Sequence, residues 1–426
     1  MNDNLILIED KSIENFEPIT STRTSLEMQF GAGSFYEQLK RETEFNNISI
    51  FIREHLKETT KKRLKNIDIG KIDFEGDAII INALINLNNK NVIKLLNNKR
   101  KFIAKTGRQL ICARIPSSII KDIDNNNSYE FINKISKFKD YSIKQIHSNG
   151  LIKYPWEYIK ESGKSINKQY EFFNQRSDNK KNIKLISDNK KIWISKSAII
   201  VDKNKTYFDS SNGPVIIDKN SVIEPFTYIK GPAYIGKESK INGARIYSNT
   251  SIGNNCSIGG EIQNSVIHEY TNKSHEGYLG HSIIGSWVNL GARTTNSDLK
   301  NTYGKIKMNI GKNRIQSNQI KFGCMIGDNS KTAIGSLIFT GIRIGVCGQL
   351  FGHVAEDIPP FTFYNNTKKK TLIEYDVNKA IKTQARMMKR RDIKQDKHDR
   401  KLLQEIYNNS IEQRKKNRVK VGDMKI

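Results

Sequence analysis

Aliphatic residues recur six positions apart through the middle of the chain. The series runs Ile217, Ile223, Ile229, Ile235 and Ile241, slips to Ile246, and resumes at Ile252 and Ile258. This period matches neither an α-helix nor an alternating strand. It is typical of a hexapeptide β-helix, in which each coil stacks on its neighbours. We therefore predict a β-helix over residues 193–352, where glycine often follows the aliphatic residue so that the backbone turns each corner without a Cβ clash.

The series is interrupted over residues 259–283, and it returns at Ile284 and Leu290. Residues 274–304, which overlap the end of this interruption, are rich in polar and histidine side chains. A rigid solenoid with an irregular polar segment is a good place for chemistry. We therefore expect the functional site here.

The N-terminal part has a different pattern. Short apolar runs at 5–9, 48–52 and 78–84 alternate with helix-like segments that begin near residues 34, 53 and 91. This alternation predicts an α/β domain over residues 1–175, with a mostly parallel, Rossmann-like sheet. Residues 176–192 are polar and read as a linker.

The C-terminal extension, 353–426, contains helical patterns from Asp376 onward, with many lysine and arginine residues. Such a tail could bind an acidic partner. We favour packing against the end of the solenoid, because open solenoid ends need a cap.

Composition narrows the range of partners and locations that the protein is expected to have. The 426 residues carry a formal net charge of +27, but the charge is spread along the chain and no nucleic-acid motif is present. We therefore expect no nucleic-acid partner, whereas phosphorylated small substrates fit the charge. Four cysteines without a CxxC pair, and no signal peptide or apolar span, predict a soluble cytoplasmic protein with no membrane association.

The polar segment offers several groups for chemistry. His275 could accept a proton from a nucleophile near neutral pH, and Tyr278, three residues later, could orient a substrate. Amide and carboxylate groups for hydroxyls or an amine come from Asn289, Asn296 and Asp298. Cations for phosphate come from Lys300, Lys305 and Lys307, and from Arg245 at the slip in the series.

The histidines also suggest an alternative. His268, His275 and His281 could bind zinc, as three histidines do in some hexapeptide β-helix enzymes that hydrate carbon dioxide. Such a site requires the three rings to converge, and the spacing alone does not show that they do.

The segment SHEGYLG followed by VNLGA resembles the acetyltransferase half of the bifunctional bacterial enzymes that make UDP-N-acetylglucosamine. Residues 277–304 are similar to the pattern GYLGHSxIGxWxNLGAxTxNSDLKNxYG of a branch found in Bacteroidetes and archaea. The resemblance implies a left-handed parallel β-helix of hexapeptide repeats that assembles as a homotrimer. It also implies acetyl-CoA as co-substrate, His275 as catalytic residue, and Tyr278 and Asn289 as substrate-binding residues.

The N-terminal domain resembles the nucleotidyltransferase half of the same enzymes, in a partly degenerate form. LILIED and PITSTR match its opening strand and basic motif through Thr20 and Arg23, and DAIIINA, which contains Asn82, matches a later segment. Thr24 stands where the family has proline, and the glycine-rich phosphate loop is absent. The resemblance implies binding of UTP or dTTP with Mg²⁺, for which Asp10 and Asp77 are the candidate ligands.

Three functions follow as hypotheses. The first is acetylation of glucosamine-1-phosphate, coupled to UTP-dependent nucleotidyl transfer that gives UDP-N-acetylglucosamine. The second is a sugar-1-phosphate nucleotidyltransferase, uridylyl or thymidylyl, whose β-helix only assembles the protein. The third is a trimeric scaffold without catalysis.

Overall fold

The structure is a computed structural model that describes residues 3–43, 45–121, 128–138, 141–147, 149–176, 184–186, 191–311 and 313–422. The chain divides into two compact units. The first comprises Met1–Phe16, Arg23–Met28 and Ser34–Glu161, and the second comprises Glu17–Thr22, Gln29–Gly33 and Ser162–Ile426. This division differs from the predicted boundary at residue 175, because two short N-terminal segments and the residues from 162 onward belong to the second unit.

The first unit is built on a mixed sheet. In the described part of the chain its strands are β1 (Asp3–Ile8), β2 (Phe45–Phe51), β3 (Asp68–Ile69), β4 (Asp77–Asn82), β5 (Phe102–Thr106), β6 (Gln109–Pro116) and β7 (Ile143–Gln145). Their order is β3-β2-β1-β4-β6-β5-β7. All pairs are parallel except those that β6 makes with β4 and β5. The mostly parallel α/β fold predicted from the sequence is confirmed.

Helices follow the strands of this unit as the alternation predicts. They are α1 (Phe35–Glu42), α2 (Lys57–Arg63), α3 (Lys90–Leu96), α4 (Ser117–Lys121) and α5 (Ser128–Ser136). The start of α1 is fixed by a capping box, in which the Ser34 hydroxyl accepts from the Glu37 amide and the Glu37 carboxylate accepts from the Ser34 amide. The next helix, α6 (Pro155–Asn174), belongs to the second unit from residue 162 onward.

The second unit contains the β-helix, whose strands are two to seven residues long. They are β8 (Lys184–Leu185), β9 (Ile192–Ile194), β10 (Ile199–Ile200), β11 (Tyr207–Asp209), β12 (Val215–Ile217), β13 (Val222–Ile223), β14 (Tyr228–Lys230), β15 (Ala233–Ile235), β16 (Lys240–Ile246), β17 (Thr250–Ile252), β18 (Ser257–Gln263), β19 (Val266–Ile267), β20 (Asn272–Lys273), β21 (Tyr278–Gly280), β22 (Ile283–Ile284), β23 (Asn289–Leu290), β24 (Thr295–Asn296), β25 (Lys307–Ile310), β26 (Asn313–Gln316), β27 (Cys324–Ile326), β28 (Lys331–Thr332), β29 (Leu337–Ile338), β30 (Ile342–Ile344), β31 (Gln349–Val354), β32 (Thr362–Asn366) and β33 (Thr371–Glu374).

The six-residue series forms the core of this β-helix. Ile235 lies in register with Ile252, Ile252 with Ile267, and Ile267 with Ile284. All four side chains are fully buried. Burial of each such side chain contributes about 1.5–3 kcal/mol, so the stack is a main source of stability. The predicted left-handed parallel β-helix of hexapeptide repeats is confirmed as the fold class of this unit.

The glycines of the Ile-Gly pairs have a role that differs in detail from the one predicted. A Cβ built on Gly236 would lie 2.5 Å from the carbonyl carbon of Gly253 on the next coil. Neither residue has a positive φ, whereas Asn249 and Asn255 do. The glycines therefore permit close approach of neighbouring coils, and asparagine takes the left-handed conformation at the corners beside them.

The slip in the series has a structural basis, but the interruption over residues 259–283 does not interrupt the coils, because Ile267 continues the buried stack there. The pairing of β16 with β18 shifts register between Asn242 and Arg245. Farther along, Ile284 pairs directly with Ile326, although a long excursion separates them in sequence. That excursion contains the antiparallel hairpin of β25 and β26. The hydrophobic stack is therefore continuous across the insertion.

The C-terminal extension is helical after residue 376, as predicted, whereas β32 and β33 lie in its first part. Its helices in the described residues are α7 (Val377–Lys389), α8 (Lys397–Asn409) and α9 (Ile411–Lys416), and the Asp376 side chain caps the first of them. Arg414 forms an ion pair with Glu374 of β33 at 2.9 Å. The tail therefore packs within its own unit, which agrees with the packing that we favoured.

The predicted linker lies mostly outside the described residues, which omit 177–183 and 187–190. Lys184–Leu185 is a strand that pairs with β11, so this part is not a plain linker. The four cysteines are buried without disulfide partners, and burial raises the pKa of each thiol to about 12. None of the helices in the described part of the chain has the length and apolar character needed to cross a membrane.

Candidate active site

Arg245 and Tyr278 lie in one column on an outer face of the β-helix. In the strand register Arg245 stands beside Glu261, and Glu261 beside Tyr278. Neighbouring strands are about 4.8 Å apart, which separates Arg245 from Tyr278 by roughly 10 Å. The Arg245 guanidinium contacts the Glu261 carboxylate at 3.4 Å and remains largely exposed. An exposed ion pair of this kind contributes only about 0–1 kcal/mol, so a phosphate could replace the carboxylate.

Asp298 joins Tyr278 to His281. The Tyr278 hydroxyl donates to Oδ2 of Asp298 at 2.7 Å, and Nδ1 of His281 lies 2.6 Å from the same oxygen. Asp298 comes directly after β24, at the start of the long excursion, while Tyr278 begins β21 and His281 follows it. The sequence predicted functional roles for Tyr278 and Asp298, but it placed His281 only in the zinc alternative.

The electrostatics of this trio favour an ionised carboxylate and a neutral phenol. Burial by itself would raise the pKa of Asp298, but the hydrogen bonds from His281 and Tyr278 outweigh it, and the pKa lies below its ordinary value. Burial raises the pKa of Tyr278, and the bond to Asp298 raises it further. Near neutral pH Asp298 therefore acts as a hydrogen-bond acceptor only.

His275 lies on an exposed turn between β20 and β21. Within the described residues, the structure shows no hydrogen bond to its ring. Its backbone carbonyl accepts a hydrogen bond from Nζ of Lys273 at 2.9 Å, and the same ammonium donates to the carbonyl of Gly259 on the preceding coil. The Lys273 side chain is buried, and desolvation lowers its pKa to about 8, although Glu276 acts in the opposite direction. Lys273 thus holds the turn that presents His275.

Asn289 belongs to a polar row on the outer surface. Its Oδ1 accepts from the Asn272 amide at 2.8 Å, and Oδ1 of Asn272 accepts from Ser274 at 2.6 Å. Ser274 immediately precedes His275, so this row connects Asn289 to the turn of the candidate base. The Asn289 side chain is half-buried and keeps its amide nitrogen available to a ligand in this arrangement.

Asn296, predicted to bind substrate, lies in a contact between two coils. Asn296 is buried, its Oδ1 accepts from the Gly280 amide at 2.8 Å, and its Nδ2 donates to the Gly280 carbonyl at 3.0 Å. Because both the oxygen and the nitrogen of its side chain bond to the backbone of Gly280, Asn296 joins two coils and has no group left for a ligand. Its position between Thr295 and Ser297 gave no sign of this role.

The predicted phosphate-binding lysines lie on the excursion. Nζ of Lys300 donates to the carbonyl of Lys305 at 2.8 Å, and Nζ of Lys305 lies 3.4 Å from Oδ1 of Asn318. Both contacts are exposed, so either ammonium could turn towards an anion at little energetic cost. Lys307, on β25, is also exposed.

The residues predicted to bind nucleotide are not brought together as a group. Thr20 is fully buried in the second unit, in a segment where Thr22 donates to Asp328 at 2.8 Å. Arg23 is buried in the first unit, and its carbonyl accepts from Arg53. Asn82 is also buried in the first unit. Thr20 therefore belongs to a different compact unit from Arg23 and Asn82.

The two aspartates of the predicted magnesium pair lie at opposite ends of neighbouring strands. Asp10 lies at the carboxyl end of β1, where Oδ2 accepts from Asn82 at 2.9 Å. Asp77 begins β4 at the opposite edge of the sheet, about 17 Å from Asn82 at roughly 3.3 Å per residue. Two carboxylates this far apart do not fit one Mg²⁺ ion.

The zinc alternative also gains no support in the described part of the chain. His268 is fully buried and its Nδ1 lies 2.8 Å from the carbonyl oxygen of Ile284, whereas His275 is exposed. Among the residues with described positions, no three histidine, cysteine, aspartate or glutamate side chains are grouped so that they could hold a metal ion.

Residues 5–178 match the sugar nucleotidyl transferase family. This range covers the first unit and the start of the second, and it leaves most of the β-helix outside. The nucleotidyltransferase fold of the N-terminal part therefore rests on sequence as well as on strand order.

Curated relatives are similar over a limited part of the chain. A bifunctional sugar-1-phosphate nucleotidylyltransferase/acetyltransferase of Sulfurisphaera tokodaii is 30% identical over 145 residues, which cover 33% of this chain and 35% of that protein. The bifunctional protein GlmU of Methanococcus vannielii is 36% identical over 100 residues, or 24% of this chain and 23% of that protein. The chain thus spans about a quarter to a third of the length of these relatives.

Solved structures give only a distant likeness. A UDP-N-acetylglucosamine acyltransferase has a TM-score of 0.24 and 12% identity, covering 48% of this chain and 74% of that one. The N-acyltransferase AntD of Bacillus cereus, in complex with dTDP and coenzyme A, has a TM-score of 0.16 and 15% identity, covering 47% of this chain and 90% of that one. These scores are too low to carry a functional argument.

Proposed function

We propose that the β-helix unit transfers an acetyl group from acetyl-CoA to the amine of a sugar 1-phosphate, with glucosamine-1-phosphate as the acceptor. The observation that carries this proposal is the network of Tyr278, Asp298 and His281 beside the turn of His275. It combines a positioned hydroxyl, an ionised carboxylate and two imidazoles, which are the groups that amine acylation requires. The bifunctional names of the relatives are in accord with it.

In this reaction the amine nitrogen attacks the thioester carbonyl of acetyl-CoA. A proton of the amine passes to His275, the carbon–sulfur bond breaks, and coenzyme A leaves as the thiol after it receives that proton. Tyr278 and Asn289 hold the sugar. Arg245 binds the phosphate by replacing Glu261 as its partner, with Lys300 or Lys305 from the excursion.

We further propose a homotrimer, in which the outer face of one β-helix meets the next and acetyl-CoA lies between neighbouring coils. In the coupled reaction, the N-terminal unit joins the N-acetylated sugar phosphate to UTP and releases pyrophosphate. The family match of residues 5–178 supports this second activity. The same match favours the alternative that the chain is a nucleotidyltransferase, uridylyl or thymidylyl, with a structural β-helix.

The test is a stepwise assay on the purified full chain. Acetyl-CoA is supplied with glucosamine-1-phosphate or galactosamine-1-phosphate, and free thiol is followed; UTP with Mg²⁺ is then added, and pyrophosphate is followed separately. We expect thiol release that depends on the amino sugar and falls at least 100-fold in His275→Ala, in line with the usual size of general-base effects.

The matched control is His147→Ala, because His147 is an exposed histidine of the first unit. We expect it to retain the wild-type rate. Pyrophosphate release without thiol release would favour the nucleotidyltransferase alternative. Retained acetyl transfer in His275→Ala would overturn the assignment of His275.

A further inference from the structure

A single carboxylate oxygen contacts both Tyr278, which begins the strand after the His275 turn, and His281, which follows that strand. Oδ2 of Asp298 accepts from the Tyr278 hydroxyl at 2.7 Å and lies 2.6 Å from Nδ1 of His281. The Asp298 and His281 side chains are 9% and 18% exposed. The carboxylate is therefore shielded, while an edge of the imidazole reaches the surface.

The backbone of His281 is fixed in the orientation that this contact requires. His281 has a φ of +49°, a left-handed conformation in which histidine is several times more common than most residues. Its amide donates to the carbonyl of Gln263 at 3.0 Å, and its carbonyl accepts from the Gly323 amide at 2.9 Å. The ring is thus held by two neighbouring coils in addition to Asp298.

The hydrogen-bond pattern decides which atoms remain for a ligand. An ionised carboxylate only accepts, so both Tyr278 and Nδ1 of His281 give their protons to Asp298. An imidazole that has its one proton on Nδ1 carries its lone pair on Nε2, and the tyrosine oxygen has only lone pairs to offer. A ligand at this position consequently meets acceptors, and a group with several N–H donors suits them best.

An acceptor that arrives as an ammonium must lose two protons before it becomes an amide. A primary amine near electron-withdrawing groups titrates near pH 8, as α-amino groups do at about 7.7–8.0, and at neutral pH it arrives largely as ammonium. It must lose one proton before its nitrogen can attack and a second when the amide forms. The thiolate that leaves takes up only one of them.

We propose that His281, oriented by Asp298, takes the first of these protons from the acceptor ammonium, and that His275 takes the second. The N–H bond of the ammonium breaks, its electron pair stays on nitrogen, and the proton moves to Nε2 of His281 and from there to solvent. The free amine then attacks the thioester. His275 accepts the remaining proton and passes it to the departing sulfur. This inference rests on the proposed acetyl transfer.

Other charged groups surround this pair and bear on its pH dependence. Glu261 lies on the adjacent strand and pairs with Arg245, while Lys321 approaches Asp298 from the far end of the excursion. Lys273 and Glu276 flank the His275 turn. A test must therefore compare variants at each pH, so that the titration of these groups cancels between wild type and variant.

The experiment compares wild type with His281→Asn, and measures kcat/KM for acetyl transfer to glucosamine-1-phosphate from pH 6.5 to 9.5. Asparagine tolerates the left-handed backbone and supplies an N–H to Asp298 but no base. We expect a loss of about 100-fold at pH 6.5 that shrinks to a few-fold at pH 9.5, where the acceptor is already a free amine. Asp298→Asn should show the same trend with a smaller loss. His275→Ala should keep its full loss at every pH.

The pH dependence of the loss distinguishes a proton-transfer role of His281 from a structural role. A loss in His281→Asn that stays constant with pH would show a structural role and overturn the proposal, as would a wild-type rate at all pH values. His147→Asn, in the first unit, serves as the control and should follow wild type. If wild type itself acetylates no amino sugar phosphate, the proposed function fails and this inference fails with it. Circular dichroism of each variant verifies folding.

Discussion

Lys273 offers a test of the candidate site that needs no substrate. Its ammonium is buried and holds the carbonyls of Gly259 and His275, each at 2.9 Å. Replacement by methionine keeps the length of the side chain and removes both hydrogen bonds. Hydrogen bonds from a charged donor stabilise the fold by about 1.5–3 kcal/mol each. The cost of burying the charge opposes this gain.

The pKa of Lys273 gives the size of that cost. Its value falls from 10.5 to about 8, chiefly by desolvation, and each unit corresponds to about 1.4 kcal/mol. The folded state therefore disfavours the ammonium by roughly 3 kcal/mol. Below pH 8 both folded and unfolded chains carry the proton and the full cost applies. As the pH rises from 8 to 10.5, the folded protein releases the proton first, so the contribution of Lys273 to stability increases over this window.

Thermal unfolding of the full chain, followed by circular dichroism under reducing conditions, measures this effect. We expect the stability of wild type relative to Lys273→Met to increase by about 3 kcal/mol between pH 7.5 and 10.5. Lys219→Met is the matched control, because Lys219 lies exposed on the same unit, and its difference from wild type should stay constant. A difference for Lys273→Met that also stays constant across this range would refute the argument.

Three further predictions concern single positions. Ile252→Ala should lower the free energy of unfolding, measured by denaturant titration, by about 2–5 kcal/mol because it opens a cavity in the stack. The control Ile334→Ala, at an exposed site, should change it by less than about 0.5 kcal/mol. Asn296→Asp should destabilise the protein by about 2–4 kcal/mol, since a carboxylate would replace a buried amide donor, while Asn313→Asp on the exposed hairpin should have little effect in the same titrations. Tyr278→Phe should raise KM for the amino sugar phosphate about tenfold with a smaller change in kcat, because it removes an oriented acceptor, and initial rates at varied acceptor concentration would show this.

The fold was predictable because its signals are local and repeated. Every coil needs one aliphatic side chain at the same place, so Ile235, Ile252 and Ile284 follow from the period in the sequence, whereas Ile267 of the same stack lies in the interval where the series is interrupted. The same reasoning located the slip at Arg245. The alternating pattern of the first unit likewise depends on nearest neighbours, and it predicted β1, β2 and β4 to within a few residues but not the other strands of the described sheet.

The site was only partly predictable, because its contacts cross coils. Asn296 and Asp298 are two residues apart and both buried, yet one joins two coils and the other accepts a hydrogen bond from the Tyr278 hydroxyl. Which of them is used in packing depends on the position of Gly280, some sixteen residues away. The role of His281 was missed for the same reason, because its carboxylate partner lies seventeen residues later. Nothing in the sequence indicated that Lys273 is buried, since a lysine in a polar segment is normally expected to be solvated.

The direct pairing of Ile284 with Ile326 has a consequence for how this molecule can change over evolutionary time. The hairpin of β25 and β26 is attached to a scaffold whose register does not depend on it. Mutations that lengthen, shorten or exchange the hairpin would therefore leave the stack and the Tyr278 column in place. Diversification can act on the rim of the site through this excursion, while the coils beneath it keep their register and the Tyr278 column.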